Sequence, residues 1–222
     1  MFRHVRSVTL DLDGTLLDSL PDLAAAANAM LAELDQPVRS LDEVRGFVGK
    51  GIADLVRRCL TEGRDYAGNL DEALKVFRCH YAVTNGRSAA AYPGVMEGLE
   101  LLRSLGLPLA VITNKAAEFT DPLLVTTGLA PYLRFAISGD SLPEKKPHPL
   151  PLLHAAERLG STPSTNLHVG DSRHDAEAAR AAGCPVALVP YGYSAGVDVH
   201  DLDCDVIVAS LSELADLIRS SR

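Results

Sequence analysis

Two carboxylates two residues apart, in Asp11-Leu12-Asp13-Gly14-Thr15, follow directly on a short apolar run. On an extended chain, residues i and i+2 project to the same side, so Asp11 and Asp13 can act as a pair. Gly14 permits a sharp exit after them; the bland reading is an Asp-Gly turn between a strand and a helix. A second cluster, Thr113-Asn114-Lys115, follows the apolar Ala110-Val111-Ile112. Its hydroxyl and amide suit an anion at a helix N-terminus, or else Thr113 simply caps that helix. The third cluster, Gly170-Asp171-Ser172-Arg173-His174-Asp175, holds two more carboxylates four apart. These are helix caps or oxygen ligands for a hard cation. Before it stands Lys145-Lys146-Pro147-His148-Pro149, where the prolines restrict a lysine more than open surface would. Together these residues supply a carboxylate nucleophile, a second carboxyl for proton transfer, further acids for Mg²⁺, and Lys and Thr for phosphate oxygens. Phosphoryl transfer needs little else.

The clusters need a frame that brings them together. Short apolar runs at 5–10, 107–113, 135–138, 167–170, 186–189 and 206–209 read as strands, and three of them end in a chemical cluster. Helical patterns lie between them. Residues 95–105 stop at Gly106, 150–159 at Gly160 and 175–182 at Gly183, while Ser210 and Glu213 offer a capping box for the last helix. Runs too apolar for one-sided burial, alternating with helices, predict a parallel sheet covered on both faces. Ligands then bind at the carboxyl ends of the strands, where strand order reverses.

One stretch breaks the alternation. From Ser19 to about Gly86 the pattern is helical, with Pro21 in a first turn. The stripes are Leu20, Leu23, Ala27, Leu31 and Leu34; Ile52, Leu55, Val56, Cys59 and Leu60; and Leu70, Ala73, Leu74, Phe77 and Tyr81. This predicts an all-helical insert at 19–86 within an α/β unit formed by 1–18 and 87–222, with hinges at 18–21 and 86–94.

Composition narrows the function classes. The 222 residues carry a formal net charge of −8, which disfavours a broad basic face for nucleic acid or an anionic membrane. Cys59, Cys79, Cys184 and Cys204 show no CxxC pair and no zinc-like spacing, and so read as reduced thiols. No apolar run is long enough to cross a bilayer, and the run after Arg3 and Arg6 meets Asp11 too soon for a signal peptide. The expectation is a cytoplasmic protein, a monomer or weak homodimer, with a small phosphorylated metabolite as its partner.

In order, Asp-x-Asp-Gly-Thr, Thr-Asn, Lys-Pro and Gly-Asp-x-x-x-Asp resemble the haloacid dehalogenase (HAD) superfamily of phosphatases, over essentially the whole chain. The resemblance implies a Rossmann-like core with a mobile cap, here the helical insert. The phrases at 11–19, 45–55, 113–115, 146–153, 170–175 and 191–193 are most similar to the bacterial phosphoglycolate phosphatases of that superfamily. This implies Mg²⁺-dependent hydrolysis of 2-phosphoglycolate to glycolate and phosphate through an aspartyl phosphate. Asp11 would be the nucleophile and lend an oxygen to Mg²⁺. Asp13 would protonate the leaving alkoxide, then activate water, while its backbone carbonyl ligates the metal. Thr113 and Lys146 would hold phosphoryl oxygens, with Asn114 nearby; Asp171 would bind Mg²⁺ directly and Asp175 through a water. The Lys-Pro phrase favours Lys146 over Lys145. The dehalogenase branch typically lacks the second acid, so Asp13 points to phosphate esters.

Gly46-Phe47-Val48-Gly49-Lys50-Gly51 lacks the Ser/Thr and the spacing of a P-loop and follows no strand. In the insert it either closes over the substrate, with Gly49 and Lys50 meeting an anionic tail, or is a plain turn. Arg57 and Arg58 read as solvated helix charge, Cys184 as a small buried hydrophobe, and His148 and His174 carry no assigned role. The rival readings are the same chemistry on a sugar or amino-sugar phosphate, a phosphotransferase to a sugar, and a non-catalytic module that binds phosphorylated ligands.

Overall fold

The computed structural model describes residues 2–63 and 66–222; residues 1, 64 and 65, at the start of the expected core and inside the expected insert, lie outside the described residues. Six parallel strands form the main sheet: β1 (Ser7–Leu10), β4 (Leu109–Ile112), β5 (Phe135–Ile137), β6 (Asn166–Gly170), β7 (Val186–Leu188) and β8 (Val206–Ile207). Their order is β5-β4-β1-β6-β7-β8. β1 is therefore central, with Val8 opposite Leu109 on one side and Leu167 on the other. Every residue of β1, β4, β6 and β7 is buried, as strands covered on both faces require. One face packs α5 (Val95–Ser104) and α9 (Leu211–Ser221) through Leu99, Leu102, Leu214 and Ile218. The other packs α7 (Leu150–Arg158) and α8 (Arg173–Ala182) through Leu152, Ala155 and Ala179.

The strands at 5–10 and 206–209 are shorter than the apolar runs suggest. Val5 turns back to hydrogen-bond Phe2, and β8 is an edge strand with one neighbour. The helix expected after the Thr113 cluster is α6 (Ala117–Thr126), which carries Pro122 internally, a residue that reads as a break because it lacks an N–H. The capping box of α9 is half made: Ser210 accepts from Glu213 N–H, but the Glu213 carboxylate caps Ala209 N–H instead.

Residues 19–86 contain α1 (Leu20–Glu33), α2 (Leu41–Phe47), α3 (Ile52–Thr61) and α4 (Leu70–Thr84). They share their own apolar cluster, around Leu23, Met30, Leu31, Leu60, Phe77 and Tyr81. Phe119 and Tyr193, from outside this segment, join that cluster. α2 has no stripe in the sequence reading; a capping box between Ser40 and Glu43 starts it. Leu70 lies at the exposed start of α4 rather than in its stripe. Arg58 is more than solvated charge: it stacks on the Phe47 ring at 4.4 Å and donates to Gly46 O at 2.6 Å.

The chain enters and leaves this segment through one small antiparallel pair, β2 (Leu17–Asp18) with β3 (Ala90–Ala91). Asp22, buried in α1, accepts from the backbone N–H groups of Gly86, Ser88 and Ala89 at 2.8–3.1 Å. One carboxylate thus straps both crossings together.

The contact between α5 and α9 depends on Gly98. A Cβ there would stand 2.5 Å from Leu211 C and 2.7 Å from Ser212 N, and backbone cannot yield as a side-chain tip can. Gly98→Ala is expected to cost about 1–3 kcal/mol by overpacking, read from urea unfolding as a lower midpoint at unchanged slope.

Candidate active site

Asp11 follows the last residue of β1, Thr113 that of β4 and Asp171 that of β6. Because these strands are adjacent and parallel, the three clusters meet at one edge of the sheet. There they line a small cavity of about 50 Å³, with Asp11, Asp13, Thr113, Asn114, Lys146 and Asp171 in its wall.

Lys146 Nζ lies 2.8 Å from Asp11 Oδ1 and 2.6 Å from Asp175 Oδ1. Lys145 is exposed and donates instead to Lys50 O at 2.8 Å. Ligand oxygens of Asp11, Asp171 and Asp175 all lie within 4.8 Å of one another. Burial pushes the Asp11 carboxyl well above the ordinary range; Lys146 opposes that, and Asp175 and Asp171 reinforce it. Asp171 is pushed up to about 6 by burial and by Asp175. Burial also works against the Asp175 anion, yet Lys146 and His168 hold its carboxyl well below the ordinary range. Three crowded carboxylates against one ammonium leave an excess of negative charge in a dry place. That donor set, all oxygen and all hard, fits a divalent cation.

Glycines make the cluster possible. A Cβ on Gly170 would stand 2.2 Å from Asp175 Cγ, and one on Gly192 would stand 2.3 Å from Asp171 Oδ2. Asp171 is then fixed at both oxygens, by Thr15 Oγ1 at 2.9 Å and Tyr193 N–H at 2.7 Å. Asp175 Oδ2 accepts from Ser172 N–H and Oγ at the start of α8.

Asp13 belongs to a second charge centre. Its carboxylate accepts from Lys115 Nζ at 3.1 Å and from Ser19 Oγ at 2.5 Å. Lys115 is buried and also meets the Tyr81 hydroxyl, from α4. Burial disfavours the Lys115 ammonium, but Asp13 and Tyr81 raise its pKa above the ordinary lysine value. Tyr193, at the cavity wall, accepts Ser19 and Leu20 N–H on its hydroxyl and donates to Asp18 at 3.0 Å, joining residues 18–20 to the sheet edge.

Three expected roles take a different shape. Thr113 does not cap α6, whose N-cap is Ala116; its hydroxyl oxygen accepts Lys115 N–H at 3.2 Å and keeps its own hydrogen for the cavity. Asn114 spends both amide hydrogens on carbonyls, Gly49 O at 2.8 Å and Lys146 O at 2.9 Å. Its side chain therefore ties the 48–51 loop to the Lys146 loop and leaves only its backbone N–H for an anion. Gly49 lines the cavity, whereas Lys50 is exposed and outside the lining. His174 lines the wall beside Gly49, and burial lowers its pKa; His148 accepts Leu150 N–H and serves its own loop.

A buried polar file lies behind the cluster, with little trace in the sequence. Ser7 donates to Asn166 at 2.8 Å, Asn166 to Thr9 at 3.2 Å, Thr9 meets His168 Nδ1 at 3.0 Å, and His168 Nε2 meets Asp175 at 3.0 Å. The only signal for it was polar residues at alternate positions of two strands otherwise apolar.

The sequence model of the haloacid dehalogenase-like hydrolases matches residues 8–189. The chain belongs to the haloacid dehalogenase-like hydrolases. Among members of that family, it is 50% identical to the phosphoglycolate phosphatase of Nitrosospira multiformis, over 98% of this chain and 97% of that one. It is 46% identical to the phosphoglycolate phosphatase of Thiobacillus denitrificans, over 96% of each. A crystal structure described as a predicted phosphoglycolate phosphatase, from Haemophilus somnus, superposes with a TM-score of 0.88 at 31% identity, covering 96% of this chain and 98% of that one. Among the described residues, no helix is long and apolar enough to cross a membrane.

Proposed function

We propose that this hydrolase is a Mg²⁺-dependent phosphatase of 2-phosphoglycolate. The reading rests on Asp11, a buried carboxylate at the end of the central strand, held by Lys146 among Asp171 and Asp175. Relatives at 50% and 46% identity that carry the phosphoglycolate phosphatase name supply the substrate. An Asp11 oxygen attacks phosphorus, the ester P–O bond breaks, and Asp13 gives its proton to the departing alkoxide. Asp13 then takes a proton from water, whose oxygen attacks the same phosphorus and returns Asp11 as a carboxylate. Lys146 and the Thr113 hydroxyl hold the phosphoryl oxygens, together with the Asn114 N–H. Asp11, Asp171 and the Asp13 carbonyl would hold Mg²⁺, with Asp175 reaching it through a water. When bound, the metal supplies neutralising charge and a fixed angle of approach.

In this reading 1–18 and 87–222 form the catalytic core, and 19–86 form a cap that excludes bulk water. The enzyme works in the cytoplasm as a monomer or weak homodimer, on a small metabolite and not on nucleic acid. The test is phosphate release from a panel of small phosphomonoesters with Mg²⁺. Preference for 2-phosphoglycolate that disappears with EDTA is the expected result; release concentrated on a sugar phosphate would discard the substrate and keep the chemistry.

A further inference from the structure

Two lysines line the cavity, and they divide the work. Lys146 is spent on Asp11 and Asp175. Lys115 stands apart from that cluster, 3.1 Å from Asp13 Oδ1 and against the Tyr81 hydroxyl, and is 2% exposed at its side chain. An ammonium has three N–H donors; here Asp13 takes it with both carboxylate oxygens, at 3.1 and 3.4 Å, and the Tyr81 hydroxyl is its other hydrogen-bond partner among the described residues. The cation therefore lines the cavity beside the group that would protonate the leaving oxygen, and its long 3.4 Å bond to Asp13 Oδ2 is the one an incoming carboxylate can replace.

The surface that 19–86 presents to the cavity offers no polar side chain. The lining there consists of Leu23, Val48, Gly49, Gly51, Ile52 and Leu55. A polyol buried against this surface would leave its hydroxyls without partners, at the full cost of their desolvation. A short chain ending in an anion would not, provided one cation met it.

We propose that Lys115 is the specificity residue that reads the carboxylate of the leaving group, with Tyr81 as the positioning residue that aims it. The proposal rests on the phosphatase reading above and adds to it the group that selects the substrate. In a 2-phosphocarboxylate one carbon separates the ester oxygen from the carboxyl carbon. A cation touching the proton donor is therefore also within reach of that carboxylate. The 48–51 loop and α3 then close the apolar side, and the site selects for short acids over sugars with Tyr81, behind Lys115, as the polar group the cap contributes.

The test compares kcat/KM for 2-phosphoglycolate with that for ethyl phosphate, an ester of the same reach without the charge. Wild type is expected to favour 2-phosphoglycolate by well over tenfold. In Lys115→Met that ratio is expected to fall on the order of 10- to 100-fold, the range set by losing a hydrogen bond to a charged group. Tyr81→Phe, which keeps the ring, is expected to raise KM for 2-phosphoglycolate with a smaller effect on kcat. Lys115→Arg is expected to recover part of the ratio. An undiminished ratio in both Lys115→Met and Tyr81→Phe, with each ester losing rate equally, would show that the lysine serves Asp13 alone and would overturn the proposal. If wild type itself shows no preference between the esters, the substrate reading fails and the proposal fails with it; no turnover of either ester would remove the phosphatase reading first.

Discussion

Asp11→Asn is expected to abolish phosphate release while leaving the fold intact. Removing a nucleophile from a unit of cooperating groups costs on the order of 10⁴–10⁶-fold in rate. Stability should move little, and for an identifiable reason. Asn keeps the shape and the position at the end of β1. It removes a charge that burial and two neighbouring carboxylates already disfavour, at the cost of the 2.8 Å contact with Lys146. The two effects oppose each other, so the urea midpoint should stay near that of wild type or rise slightly. Activity lost with stability kept is the pattern of a site that sacrifices stability for chemistry. If the variant instead unfolds, Asp11 is mainly a structural anion; if it retains turnover, another group attacks phosphorus. Steady-state phosphate release beside a urea titration separates these outcomes.

Lys146→Met is expected to show the opposite signature, because in the proposed reaction its charge serves both fold and chemistry. The ammonium is buried between Asp11 and Asp175, and its removal leaves three carboxylates facing one another without a cation. Breaking a buried pair from one side typically costs 3–5 kcal/mol, since the remaining charge is not compensated. Protonation of one carboxyl limits that loss, and Asp11, already pushed upward by burial, is the group to take the proton. About 3 kcal/mol is therefore the better expectation, measured in EDTA. Added Mg²⁺ should restore part of it, as a ligand that binds the native state must. Phosphate release should fall by roughly 10²–10³-fold, the effect of deleting one preorganised donor from a transition state. Equal stability in EDTA and Mg²⁺ would argue that the acid cluster does not hold the cation.

Much of this was legible in the residues themselves. The apolar runs before Asp11, Thr113 and Asp171 mark strands buried on both faces, and a parallel sheet brings their ends together without further instruction. The three helical stripes of 19–86 likewise appear as α1, α3 and α4. The contacts that hold the site were not legible, because they join residues far apart in sequence through polar groups with no periodicity. Lys115 reads as an ordinary lysine until Tyr81, from α4, is placed against it. His168 sits mid-strand and meets Asp175 only once β6 and α8 pack. Asn114 is a natural phosphate contact by type, yet its amide is committed to two backbone carbonyls that only the folded loops bring near. Lys50, the obvious cation of the 46–51 phrase, is exposed, and the cavity takes its surface from 19–86 out of the glycines and apolar residues around it. Spacing identifies which residues share an edge of the sheet. It does not say which hydrogen bonds remain unspent there.

The proposed aspartyl phosphate at Asp11 can be trapped. The enzyme turning over 2-phosphoglycolate with Mg²⁺ is quenched with borohydride, which reduces an acyl phosphate to an alcohol, and the peptides are read by mass spectrometry. Reduction of Asp11 to homoserine, absent without substrate and absent from Asp13, Asp171 and Asp175, is the predicted result. Sustained turnover with Asp11 unreduced, or reduction at a different carboxylate, would contradict it.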